Sequence, residues 1–239
     1  MEHNSSPGPL GRDGQLLTAR ASRRKFLTYA GYTGLAASVL ASCTKAISNF
    51  KADGKGATNT VSLGTGDTGI LNFAYALEQL EAAFYTLVVA DPYENISSLE
   101  LSRLTDIRDH EIAHREFFKT ALGKSAIQQL TPNFTSVDFA SRASVLATAM
   151  AFEDLGVSAY NGAGSLITNP DYLTLAGKIV SVEARHAAYI RNLITPGSFA
   201  DSTVINSNGL DKDRTPAQVL PFAQPFITQM LDASGLPTS

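Results

Sequence analysis

Two short stretches share the spacing E-x-x-H: Glu111-Ile112-Ala113-His114 and Glu183-Ala184-Arg185-His186. Residues three apart lie on one face of a helix, so each stretch can present a carboxylate and an imidazole to the same cation. Around the second runs an apolar stripe of Ile179, Val182, Ile190 and Leu193; around the first run Leu104, Ile107 and Phe118. Two more glutamates fall on apolar stripes: Glu78 between Leu71, Ala74 and Ala82, and Glu153 between Leu146, Met150 and Val157. Taken singly, each is an ordinary charged helix residue. Together they read E, E-x-x-H, E, E-x-x-H along four helices, a donor set for two divalent metal ions inside a helical bundle. Charge supports the grouping. Four buried carboxylates without counter-charge would cost several kcal/mol each or take up protons, whereas two divalent cations balance them and leave both imidazoles neutral. Oxygen-rich ligation with imidazole and no thiolate suits Fe or Mn.

The pattern repeats internally. Tyr85 follows Glu78 by seven residues and Tyr160 follows Glu153 by the same step. This predicts two helical hairpins related by a pseudo-twofold axis, each supplying half a site, with Tyr85 and Tyr160 either hydrogen-bond donors to the ligands or core aromatics whose hydroxyls bond elsewhere. Glu81, three residues after Glu78, competes with it as the ligand of the first helix; the shared tyrosine spacing favours Glu78 and leaves Glu81 as a spare ligand or a polar neighbour. His110, one turn before His114, is expected near the site as a partly exposed residue, a partner of the ligands or an extra ligand. His110-Glu111-Ile112-Ala113-His114 also matches H-E-x-x-H, the helix of zinc proteases. That reading needs a third ligand and a strand beside the cleft, and it leaves Glu153, Glu183 and His186 unexplained.

Helices must position these residues, and the apolar period from residue 67 onward is close to 3.6. Expected helices cover about 68–90, 98–122, 137–161 and 170–194. The first stops before Asp91-Pro92. The second opens on Ser97 with Glu100 three later, a capping-box pattern, and ends at Gly123. The third begins near Ser136. The fourth has Asn169 as cap and Pro170 in its first turn. Four helices of about 24 residues, each about 36 Å long, suit a four-helix bundle. A loop over about 197–214 and a last helix over about 216–231, kinked or split by Pro221 and Pro225, complete an all-α chain in which no useful strand pattern is found.

The chain resembles the ferritin-like domain family of exported bacterial proteins, which also holds plant desiccation-related proteins. The likeness rests on Ile70-Leu71-Asn72-Phe73-Ala74, Leu80-Glu81-Ala82-Ala83-Phe84-Tyr85, Phe152-Glu153-Asp154-Leu155-Gly156-Val157-Ser158-Ala159-Tyr160 and Val182-Glu183-Ala184-Arg185-His186-Ala187-Ala188. It implies a ferritin-like antiparallel four-helix bundle over 67–195 with a long crossover between the second and third helices, followed by a C-terminal loop and helix over 196–239. It also implies a dinuclear site at Glu78, Glu111, His114, Glu153, Glu183 and His186. Such a site oxidises Fe(II), reduces or dismutates peroxide, or activates oxygen, and fold alone does not choose among these. An enzyme of this kind would be a di-metal oxidoreductase, ferroxidase-, peroxidase- or catalase-like. A role in stress protection follows only from the likeness. The alternative is a non-catalytic, metal-stabilised envelope protein that serves as an interaction module.

Ahead of the bundle, Ser22-Arg23-Arg24-Lys25-Phe26-Leu27 resembles a twin-arginine export signal, with Arg23 and Arg24 as its pair. The apolar run from Tyr29 to Ala41 is shorter than the roughly 20 residues a membrane span needs. Leu40-Ala41-Ser42-Cys43 resembles a bacterial lipobox and would make Cys43, the chain's one cysteine, the lipidation site. These readings divide the start into a signal peptide over 1–42 and a flexible tether over 43–66. They place the protein in the periplasm or on the cell surface, held to a membrane through Cys43.

Composition limits the remaining classes. The 239 residues carry a net charge of −3. Five of the basic and two of the acidic residues lie within 1–42, so the rest is more acidic still, which argues against a nucleic-acid partner. One cysteine excludes an intramolecular disulfide framework. A homo-oligomer is among the states the sequence allows.

Overall fold

The computed structural model describes residues 59–238; Arg23, Arg24, Cys43, the signal peptide and most of the tether lie outside them. Four long helices make up the body: α1 (Gly66–Ala90), α2 (Ser98–Leu122), α3 (Arg142–Gly164) and α4 (Pro170–Ile194). Short loops join α1 to α2 and α3 to α4, so each pair packs as an antiparallel hairpin, and α1 also packs on α3. The body is a bundle of four helices built from two antiparallel hairpins. None of the described helices is long and apolar enough to cross a membrane.

Local sequence explains the helix ends. The Ser97 side chain accepts from the Glu100 N–H at the start of α2, satisfying one of the donors a helix leaves open there. Half of the expected capping box is absent: the Glu100 carboxylate turns instead to the Tyr93 hydroxyl and to Arg142, whose Nε and Nη2 lie 3.0 and 3.2 Å away. Asn169 caps α4 through the Asp171 N–H, with Pro170 in the first turn. Helix α3 begins at Arg142, capped by Ser141, later than the expected 137, and runs to Gly164. Val137 and Phe139, within the expected third helix, instead reach the core beside Phe134 from a turn in which the Val137 N–H donates to the Phe134 carbonyl.

Helix α1 is buried along most of its length, from Gly69 to Tyr85. Its polar side chains anchor the crossover. Asn72 donates to the Leu63 and Ser125 carbonyls and accepts from the Ile127 N–H, and Gln79 accepts from the Leu130 N–H.

The C-terminal extension differs most from expectation. Helix α5 (Pro216–Ala223) ends early, because Pro225 brings no N–H to continue it; a 3-10 turn follows over Gln224–Phe226. A short strand β1 (Thr60–Ser62) then pairs in parallel with β2 (Met230–Asp232), Val61 opposite Leu231. The tether is therefore not free up to residue 66: Val61 and Leu63 are buried. Gly162 lets the extension lie against α3, since a Cβ there would meet the Arg214 carbonyl oxygen at 2.0 Å. Beside it the Arg214 N–H donates to the Ser158 carbonyl at 2.9 Å.

Candidate metal centre

Each helix brings its carboxylate to the middle of the bundle. Glu78 comes from α1, Glu111 and His114 from α2, Glu153 from α3, and Glu183 and His186 from α4. All four glutamates are 0 % exposed. The donor atoms converge in two groups, Glu78, Glu111, His114 and Glu183 in one, Glu111, Glu153, Glu183 and His186 in the other. Glu111 and Glu183 belong to both.

The distances obey the twofold. His114 Nδ1 lies 2.9 Å from Glu183 Oε1, 3.5 Å from Glu78 Oε2 and 3.8 Å from Glu111 Oε2. His186 Nδ1 lies 2.9 Å from Glu111 Oε1, 3.5 Å from Glu153 Oε2 and 3.8 Å from Glu183 Oε2. Two donors, each about 2.1 Å from one cation, stand about 3 Å apart at right angles, so these spacings fit shared ions.

Hydrogen bonding makes the stronger test. Among the described residues, eight buried side-chain polar atoms lack a hydrogen-bond partner: Glu78 Oε2, both oxygens of Glu111, His114 Nδ1, Glu153 Oε2, both oxygens of Glu183 and His186 Nδ1. All eight belong to the six converging residues. Buried polar atoms in folded proteins are nearly always paired, and a bound cation would accept such lone pairs. The donor chemistry fits a hard or intermediate divalent metal, as the sequence implied.

The carboxylate oxygens turned away from the cluster are paired, and the pairing crosses the bundle. The Tyr85 hydroxyl of α1 donates to Glu153 Oε1 of α3 at 2.5 Å, and the Tyr160 hydroxyl of α3 donates to Glu78 Oε1 of α1. Each tyrosine thus serves the glutamate of the other hairpin, not the one two turns away on its own helix. Burial and the neighbouring glutamates push both phenols well above their ordinary range, so they stay protonated donors.

Without an ion the cluster holds protons. Burial disfavours a charged imidazole, but the close approach of Glu111, Glu183 and Glu78 outweighs it and pushes His114 up to about 12. His186 is raised in the same way by Glu111, Glu153 and Glu183. Burial raises Glu78 and Glu111, and lifts Glu153 to about 7. For Glu183 burial is outweighed by His114 and His186, which hold it down at about 2.

Glu81 is buried one turn from Glu78 but belongs to neither donor group. Its carboxylate faces α3, where a Cβ on Gly156 would lie 3.2 Å from Glu81 Oε1. Burial and the four glutamates raise it well above the carboxylate range, so it is carried as a neutral acid. By the twofold, Gly156 is the counterpart of Glu81, and the missing side chain makes its room. Only the three-dimensional pairing of α1 with α3 reveals that relation.

His110 is exposed on the outer side of α2, outside both groups, yet its Nδ1 lies 2.9 Å from His186 Nε2. The H-E-x-x-H match is therefore not a zinc site: its first histidine belongs to neither donor group and meets the outer nitrogen of His186 instead, and its glutamate sits among the converging donors.

A buried carboxylate–imidazole cluster between four helices that can hold metal defines a metal-binding helical bundle. A family model for the ferritin-like domain matches residues 66–196, more than half of the chain and every residue of the cluster, and the chain belongs to that family. Comparison with curated proteins returns no match.

Proposed function

We propose that this protein binds two divalent ions, Fe or Mn, through Glu78, Glu111, His114, Glu153, Glu183 and His186, and uses them in redox chemistry on peroxide, dioxygen or Fe(II). The observation that carries the reading is that all eight unpartnered buried atoms belong to six residues drawn from four helices. The bound ions would supply the electron transfer that carboxylates, imidazoles and phenols lack. Glu111 and Glu183 each have an oxygen for both positions. Glu78 and Glu153 serve one position each, their outer oxygens held by Tyr160 and Tyr85. Full burial of the carboxylates excludes water and strengthens these interactions.

The proposed setting is the cell envelope. Export would follow the twin-arginine route through Arg23 and Arg24, acyl chains on Cys43 would anchor the protein to a membrane, and oxidative stress would be its context. Acyl chains suit an acidic protein, which has no basic surface to hold anionic lipid. Replacing Cys43→Ala should release the protein from membranes; equal partitioning of both forms would remove the anchor.

The deciding measurement is metal per chain after expression with Fe and with Mn. Two ions per chain are expected, falling to about one or fewer in Glu183→Ala and His186→Ala. Fewer than about 1.5 in the wild type, unchanged by either substitution, would defeat the dinuclear reading. The enclosure of all four carboxylates also supports a second reading, in which bound ions only brace the bundle. Two ions without loss of peroxide, dioxygen or Fe(II) with either metal would favour it.

A further inference from the structure

The twofold relates Glu78 to Glu153, Glu111 to Glu183, His114 to His186 and Tyr85 to Tyr160, and it reproduces the distances around both imidazoles. It breaks directly behind the imidazoles. His110 immediately precedes Glu111; the residue in the same place before Glu183 is Val182. The His110 and His186 rings meet edge to edge, centroids 5.1 Å apart and planes 8° from parallel, with Nδ1 of His110 2.9 Å from Nε2 of His186.

The tautomers follow from which nitrogen faces the cluster. His186 Nδ1 is turned to the carboxylates, so with Nδ1 given to a cation the ring hydrogen sits on Nε2 and is donated to His110 Nδ1. His110 then carries its own hydrogen on Nε2. The bond fixes the tautomer that frees His186 Nδ1 and holds the ring in place. A valine side chain has no acceptor, so Val182 cannot do this for His114, whose side chain is also the more exposed of the two, 13 % against 5 %.

We infer that His110 is a positioning residue for His186 and makes the two cation positions unequal. The ion held by Glu111, Glu153, Glu183 and His186 is the resident one, and the ion beside His114 is the one that exchanges. This rests on the two-ion reading above.

The test is titration of the metal-free full chain with Mn(II), free ion followed by its electron paramagnetic resonance signal. Wild type should bind in two steps. His110→Leu should weaken the tighter step by about 10- to 100-fold and spare the weaker. His110→Gln, which keeps an acceptor, should recover most of the loss, and Val182→His should tighten the weaker step. Circular dichroism and thermal melting of each metal-free variant control for folding. Equal steps in the wild type, equal weakening of both steps by His110→Leu, or no difference between Leu and Gln at position 110 would overturn the inference while leaving two ions bound. Fewer than two ions in the wild type would instead defeat the reading beneath it.

Discussion

Metal binding should expel protons from the cluster, chiefly those on the two imidazoles. In the metal-free state at pH 7 both imidazoles are protonated, since the surrounding carboxylates push His114 up to about 12 and raise His186 in the same sense. Both Nδ1 atoms face the cluster, so both protons must leave before a pair of ions is bound. Glu153, lifted by burial to about 7, gives up a further fraction. About two protons are therefore expected to leave per pair of ions, and the overall two-ion affinity should rise about 100-fold per pH unit near neutrality. The sign is definite: the metal-free cluster holds more protons than the loaded one, so lower pH opposes binding. Isothermal titration of Mn(II) into metal-free protein, in buffers of different ionisation enthalpy, counts the protons directly. An observed enthalpy that does not change with the buffer would refute the reasoning.

The same groups make the metal-free fold less stable as pH rises. The raised Glu153 loses its favourable neutral form from about pH 4.5 through about 7, and the stabilisation from protonated His114, complete below its ordinary value of 6.5, drains away toward about 12; the melting temperature of metal-free protein should fall between pH 5 and 8, and added Mn(II) should reverse the trend. Tyr85→Phe should weaken metal binding at the Glu153 position and Tyr160→Phe at the Glu78 position, each about 10- to 100-fold, measured by the Mn(II) titration. Gly162→Ala should destabilise by about 1–3 kcal/mol in urea unfolding, opposite to the gain of about 1 kcal/mol an exposed helical glycine gives, because the new Cβ meets the Arg214 carbonyl. Arg191→Met should cost about 1.5–3 kcal/mol by the same assay, since Arg191 holds both Asp154 oxygens at 2.7 and 2.8 Å.

Much of the fold was legible because its signals are local. Helices α2 and α4 begin and end where the caps and breakers placed them, at Ser97, Gly123, Asn169 and Pro170. The glutamate and E-x-x-H positions were legible because a polar residue on an apolar stripe stands out against the 3.6 period. Where the period misled, apolar residues were serving another element. Val137 and Phe139, expected in the third helix, cover the core from the turn before it, and Leu231, expected in the last helix, lies in a strand paired with Val61.

The sequence by itself determined the four long helices to within a few residues at their ends, the inward faces and the six carboxylate and imidazole side chains that converge, because each depends on residues within a turn or two of one another. Tertiary structure alone decided the partners. Tyr85 holds the glutamate of α3 and Tyr160 that of α1, Glu81 occupies the room left by Gly156, and exposed His110 backs His186 across the bundle. These contacts join residues far apart in the chain. Which side chain meets which is set by how two hairpins pack across their shared axis, and no local pattern records that packing.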